Sequence, residues 1–131
     1  MKPRQYLTTI VLAAAAAAAS GAAWACGTCA EDKIAATYDY ATVQRAAAAG
    51  RVMVYCEITG LYDAAKVQAA ARRVRGLDPA SLRISAEPAA LSFALDEKKQ
   101  SAQAALLTLQ AALPPQTKLG IVRIVPPGGN P

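Results

Sequence analysis

Along residues 51–58 apolar and polar positions alternate, with Val52, Val54, Cys56 and Ile58 on one face and Arg51, Met53, Tyr55 and Glu57 on the other. This period of two predicts a strand with its first face toward a core. Upstream, residues 31–49 carry many alanines with Ile34, Tyr38 and Val43 and neither glycine nor proline. They predict one helix of about five turns, ended by Gly50. Downstream, Gly60 breaks the strand, Asp63 is placed to cap a helix, and Val67, Ala70, Ala71 and Val74 form an apolar stripe that runs up to Gly76. Leu82, Ile84 and Ala86 alternate, Glu87-Pro88-Ala89 marks a turn, and Leu91, Phe93 and Leu95 alternate again, which predicts a hairpin. Residues 100–113 place Ala102, Ala105, Leu106, Leu109 and Leu113 at helical spacing before Pro114-Pro115. A last strand over residues 119–125 precedes a Pro/Gly-rich tail, residues 126–131, expected to be disordered.

From residue 51 onward the predicted order is strand, helix, strand, strand, helix, strand. That order specifies an α+β fold of the ferredoxin-like βαββαβ type, a four-stranded antiparallel sheet with two helices on one face, preceded here by an extra N-terminal helix.

The first 25 residues read as an export signal. Lys2 and Arg4 give a basic start, residues 7–19 an apolar run, and Ala23-Trp24-Ala25 a small-x-small cleavage pattern. The run is mostly alanine, which partitions weakly, whereas a spanning helix needs about 20 strongly apolar residues. The expectation is cleavage before Cys26 and a periplasmic or secreted protein with no stable membrane insertion. A lipid anchor at Cys26 is disfavoured by the bulky indole of Trp24 and by Ala23 standing where a leucine-like residue is usual. The organisation is then a signal peptide at 1–25, a CxxC segment and N-terminal helix at 26–50, the ferredoxin-like domain at 51–125 and the tail at 126–131.

Cleavage leaves 106 residues, enough for one core. It also removes Lys2 and Arg4, so the net charge of +5 falls to +3, 12 basic residues against 9 acidic. So small an excess gives no support for nucleic-acid binding. The cluster Arg72, Arg73 and Arg75 falls at a helix end, where cations complement the dipole. No nucleophile-base pair, phosphate loop or zinc-protease spacing occurs, so nothing points to hydrolysis or phosphoryl transfer.

The chemistry left is Cys26-Gly27-Thr28-Cys29 at the start of the mature chain. Two thiols at this spacing chelate one soft ion such as Cu(I), or close on each other as a structural disulfide, or exchange disulfides as a redox pair. A helix N-terminus directly afterwards favours the thiolate. The sequence has no histidine, and its only methionine after the signal is Met53, so a four-coordinate zinc site would have to recruit Glu31 or Asp32. Cys56 shares the parity of Val52, Val54 and Ile58, which suits a core thiol; it is also the candidate third ligand or an alternative disulfide partner.

Residues 58–67, Ile-Thr-Gly-Leu-Tyr-Asp-Ala-Ala-Lys-Val, resemble the metal loop of heavy-metal-associated domains, the small copper and mercury chaperones, aligned on the glycine, the Ala-Ala pair and the valine. Gly76-Leu77 and the strand at 82–86 fall where that family has its helix exit and second strand, so the resemblance covers residues 51–125. It implies a soft metal ion as cofactor and a metal-donor or metal-acceptor protein as partner. The two family cysteines, however, fall on Asp63 and Lys66, which supply no thiolate. A helix over 31–49 spans about 28 Å and the first strand about 26 Å. If Gly50 folds one back along the other, Ile34 and Tyr38 pack on Met53 and Tyr55, and Cys26 and Cys29 return to the level of the Gly60–Asp63 loop.

Overall fold

The computed structural model describes residues 29–131; the expected export signal at 1–25 and Cys26 lie outside them. Strand β1, Val52–Thr59, is central. It pairs antiparallel with β3, Ala89–Leu95, on one side and with β4, Lys118–Val125, on the other, and β2, Arg83–Ala86, adds to β3. The resulting order β2-β3-β1-β4 is that of the ferredoxin-like arrangement.

The N-terminal helix expected over residues 31–49 is two helices, α1, Ala30–Thr37, and α2, Tyr40–Ala48. The break is local chemistry. Tyr38 and Asp39 adopt extended backbone, and the Asp39 carboxylate accepts from the backbone N–H groups of Ala41 and Thr42, making it the N-cap of α2. Gly50, at φ 68°, ends α2 in the left-handed conformation that glycine supplies without strain. Arg51 N–H then reaches the Ala46 carbonyl and Gly50 N–H reaches Ala47. The chain is thereby turned into β1, as the sequence predicted for this glycine.

Helices α3, Ala64–Ala71, and α4, Ala102–Ala111, cover one face of the sheet. Asp63 caps α3 as expected, and Ser101 caps α4 through the N–H of Ala104. The apolar stripe after Ala71 continues in a tightened turn, with Arg73 N–H on the Ala70 carbonyl and Val74 N–H on Ala71, so Val74 is buried without belonging to the helix. Val67, Ala70, Ala105 and Leu109 pack on Val54, Cys56, Leu91 and Phe93.

The opposite face is not open to solvent. Ile34 from α1 and Ala46 from α2 form a second cluster with Met53, Tyr55, Ala94 and Val125. Tyr38 stands at its margin, 42% exposed. The path of α1 differs from a helix laid back along β1, because successive contacts step across all four strands. Glu31 meets Arg123 on β4, Lys33 meets Glu57 on β1, the Thr37 carbonyl accepts from Ser92 on β3, and Asp39 meets Arg83 on β2.

One irregularity decides which side chains face α1. Tyr55 pairs with Arg123 and Cys56 with Ile121, so Val122 is an extra residue in β4. Leu119 and Ile121 pack toward α3 and α4, whereas beyond the bulge the odd-numbered Val125 packs under α1 and Arg123 lies opposite Tyr55 on that same face. Without the extra residue the guanidinium would point into the main core.

Gly60 carries the tightest close approach. Its φ is 82°, and a Cβ there would sit 2.0 Å from the Gln116 carbonyl oxygen. Gly60→Ala must therefore destabilise the fold by about 2 kcal/mol or more, from left-handed strain added to a backbone clash. Chemical denaturation would read this as a lowered midpoint at unchanged slope.

Candidate functional site

Cys29 is the residue before α1 and acts as its N-cap; its carbonyl accepts from the N–H groups of Asp32 and Lys33. The side chain is partly exposed. What the structure adds is the anchorage of the helix that follows. Ile34 and Thr37 are buried against the sheet, and the Ser92 hydroxyl donates to the Thr37 carbonyl at 3.1 Å. The half-buried Lys33 ammonium is paired with Glu57, whose side chain lies over Gly120, where a Cβ would crowd its carboxylate at 3.1 Å. Arg123 reaches Glu31 at 3.1 Å. Together with the backbone N–H, that guanidinium holds the Glu31 carboxyl below its ordinary value, the backbone bond contributing most.

Of the two thiols expected to act as a pair, Cys26 lies outside the described residues. Cys56, the candidate third ligand, is 1% exposed on β1 among the residues facing α3 and α4. Helix α1, and with it Cys29, belongs to the opposite face of the sheet. Burial first, and then the neighbouring Glu57 charge, pushes the Cys56 thiol up to about 12, so it stays protonated at neutral pH. A neutral, desolvated thiol fills space and ligates poorly, which agrees with the core role its parity predicted.

The loop at 60–63, where the resembled family holds its ion, is closed by its own chain. Thr117 donates its hydroxyl to the Leu61 carbonyl at 2.6 Å, and Tyr62 donates to the Ser85 carbonyl at 3.0 Å. The Asp63 carboxylate is engaged as a helix cap at 2.9 Å. Lys66, the second cysteine-equivalent position, is exposed. Among the described residues no group of three or more Cys, Asp or Glu side chains is gathered to hold a metal ion. Nor is any helix among them long and apolar enough to cross a membrane.

Asp39 is the residue that sequence reasoning missed. Besides capping α2, it accepts from Arg83 at 2.7 and 3.2 Å and from the Thr42 hydroxyl at 3.0 Å. Arg83 first, then Thr42, hold its carboxyl down to about 2. The signal was present in Asp39-Tyr40-Ala41-Thr42, a helix-start pattern inside a stretch rich enough in alanine to read as continuous helix.

Comparison with protein-family models, curated proteins and solved structures yields no match to this chain.

Two outcomes follow from these shifts. Because the folded carboxyl of Asp39 titrates near 2 and the unfolded one near 4, its contribution is complete above about pH 4 and is lost as pH falls toward 2. Asp39→Asn should flatten that part of the stability–pH curve and lower the thermal midpoint at pH 7 by several degrees, read by circular dichroism. Cys56 should resist a water-soluble disulfide reagent in the native protein and react only on unfolding, which thiol mapping by mass spectrometry reads directly.

Proposed function

We propose that this protein is exported and binds or carries a soft metal ion of the Cu(I) type through Cys26 and Cys29, exchanging it with a donor or acceptor protein. The observation that carries the reading is the anchorage of α1. Cys29 immediately precedes a helix fixed to the sheet by Ile34, by the Lys33–Glu57 pair and by the Ser92 bond to Thr37, so its backbone is set by the folded body. With Cys29 held in place at the start of α1, closing a pair around an ion costs less ordering entropy on that side than it would with both thiols on a free arm. The N-terminal end of the α1 dipole favours negative charge at the Cys29 sulfur. Cys56, buried and neutral, leaves the pair as a two-sulfur site, a coordination that suits Cu(I) better than zinc.

The Asp63 and Lys66 positions contribute no ligand in this reading, so the site is a relocated one. The competing readings use the same sulfurs without a metal, either as a disulfide that staples the N-terminus of a non-catalytic interaction module or as a thiol-disulfide redox pair.

Titration of the reduced mature chain with Cu(I) under a competing chelator decides among them. One equivalent bound, lost in Cys29→Ser and retained in Cys56→Ala, is the expected result. A Cys26–Cys29 bond that resists mild reductant, in a chain that takes up no Cu(I), would overturn it in favour of the staple. Rapid turnover of small disulfides would overturn it in favour of redox exchange.

A further inference from the structure

At one end of the sheet two stretches of chain, far apart in sequence, are pinned side by side. The Asp96 N–H donates to the Gly76 carbonyl at 2.9 Å, and the Gln100 side-chain amide donates to the Arg75 carbonyl at 2.6 Å. The Cβ of Lys99 lies 3.1 Å from where a Cβ on Gly76 would stand. The turn after α3 thereby sets Arg72, Arg73 and Arg75 beside Lys98 and Lys99 of the turn before α4. All five side chains are exposed. Among the described residues, the four ion pairs use other cations, Lys33, Arg51, Arg83 and Arg123, and none of the five is hydrogen-bonded through its side chain.

Charge is distributed unevenly as a result. Residues 29–131 hold 12 basic and 9 acidic side chains, and away from this end seven of each balance. The whole excess of +3 therefore belongs to these five cations with Asp96 and Glu97 among them. Asp96 is itself engaged, its carboxylate accepting from the Lys98 N–H at 3.1 Å. Helix dipoles do not account for the cluster. Arg73 and Arg75 lie past α3, which ends at Ala71. Lys98 and Lys99 stand just ahead of Ser101, the N-cap of α4, where a dipole disfavours cations.

The composition of the patch selects its partner. The large apolar side chains exposed on the described chain are Tyr38, Tyr40, Leu61 and Leu107, and none of them lies in either turn. A protein interface is built on a buried aromatic or apolar anchor, and a single nucleic-acid strand is held by stacking as well as by charge. An anionic lipid surface needs neither. Clusters of four to eight Lys and Arg side chains suffice for it, each contributing wherever it comes within a screening length of the headgroups.

We propose that the end of the sheet carrying Arg72, Arg73, Arg75, Lys98 and Lys99 is a docking surface for a membrane rich in anionic lipid headgroups. Contact is peripheral, reversible and held by charge. The surface is independent of the cysteine pair and uses none of its atoms.

The mature chain from Cys26, which retains every described element, is mixed with sedimentable vesicles of equal parts phosphatidylglycerol and phosphatidylcholine, and separately with vesicles of phosphatidylcholine alone. Association with the first and not the second is expected at about 10 mM salt. Release is expected at about 150 mM, where the screening length has fallen from about 30 Å to about 8 Å. Each of Arg72→Gln, Arg73→Gln and Arg75→Gln should weaken association about fivefold, and Lys98→Gln with Lys99→Gln about 25-fold. Glu97→Gln should strengthen it about fivefold. Lys66→Gln with Lys118→Gln removes as much charge as the lysine pair, also from exposed positions, and should weaken association far less. Lys118 pairs with Thr59, at the other end of β1 from the Val52–Leu95 pair that Leu77 adjoins, and Lys66 lines a cleft with Leu61 and Thr117 at that same far end. Failure to associate with the anionic vesicles, association that survives about 150 mM salt, or equal losses in the two double variants would overturn the proposal. Capture of a DNA duplex by a chain that leaves the vesicles free would overturn it in favour of nucleic acid.

Discussion

A strand with neighbours on both sides and apolar side chains on both faces cannot stand alone with one layer of helices. That is the condition of β1. Val54, Cys56 and Ile58 are satisfied by α3 and α4, but Met53 and Tyr55 on the other face are as deeply buried, and with Ala94 and Val125 they need a second cover. Leaving such side chains in water forgoes about 1.5–3 kcal/mol for each large one. Helices α1 and α2 are therefore part of the fold. Polar ties to all four strands fix where α1 lies, while the burial of Ile34 and Ala46 supplies the driving force.

This arrangement separates two kinds of thiol in one small protein. The central strand hides Cys56 among aliphatic side chains, where its proton is held tightly. Cys29 sits at a helix start on the far side of the sheet, where backbone dipoles favour an anion. Similar atoms acquire opposite tendencies from burial and backbone orientation alone. The loop that resembles a metal-binding turn is meanwhile occupied with structural work, Asp63 capping α3 and Leu61 held by Thr117.

Much of this was legible in the chain. Period-two alternation located β1 and the parity of Cys56, and glycine and proline punctuation located the hairpin and the ends of α2 and α4. The order of elements then fixed the architecture. Two features escaped for definite physical reasons. The break at Tyr38–Asp39 is dictated by a side chain that caps one helix while binding Arg83, forty-four residues away, and helix propensity carries no information about such a partner. The bulge in β4 was signalled only by an arginine at position 123, sharing the apparent parity of Leu119, Ile121 and Val125. A charge on an apolar face is the trace that a register shift leaves in a sequence. At the cysteine pair, only the setting of Cys29 belongs to the described structure.

The two outer strands of the sheet, β2 and β4, are its borders. An open sheet invites another molecule to add a strand along its unpaired amides. Strand β2 offers only four residues, with the Arg83 side chain folded over toward Asp39. Strand β4 is longer but is kinked by its additional residue, begins with a lysine and runs directly into Pro126-Pro127, which has no amide hydrogens to donate. The same irregularity that aims Arg123 at α1 thus spoils the template for edge-to-edge stacking, guarding a protein of 54% apolar composition against fibrous self-association.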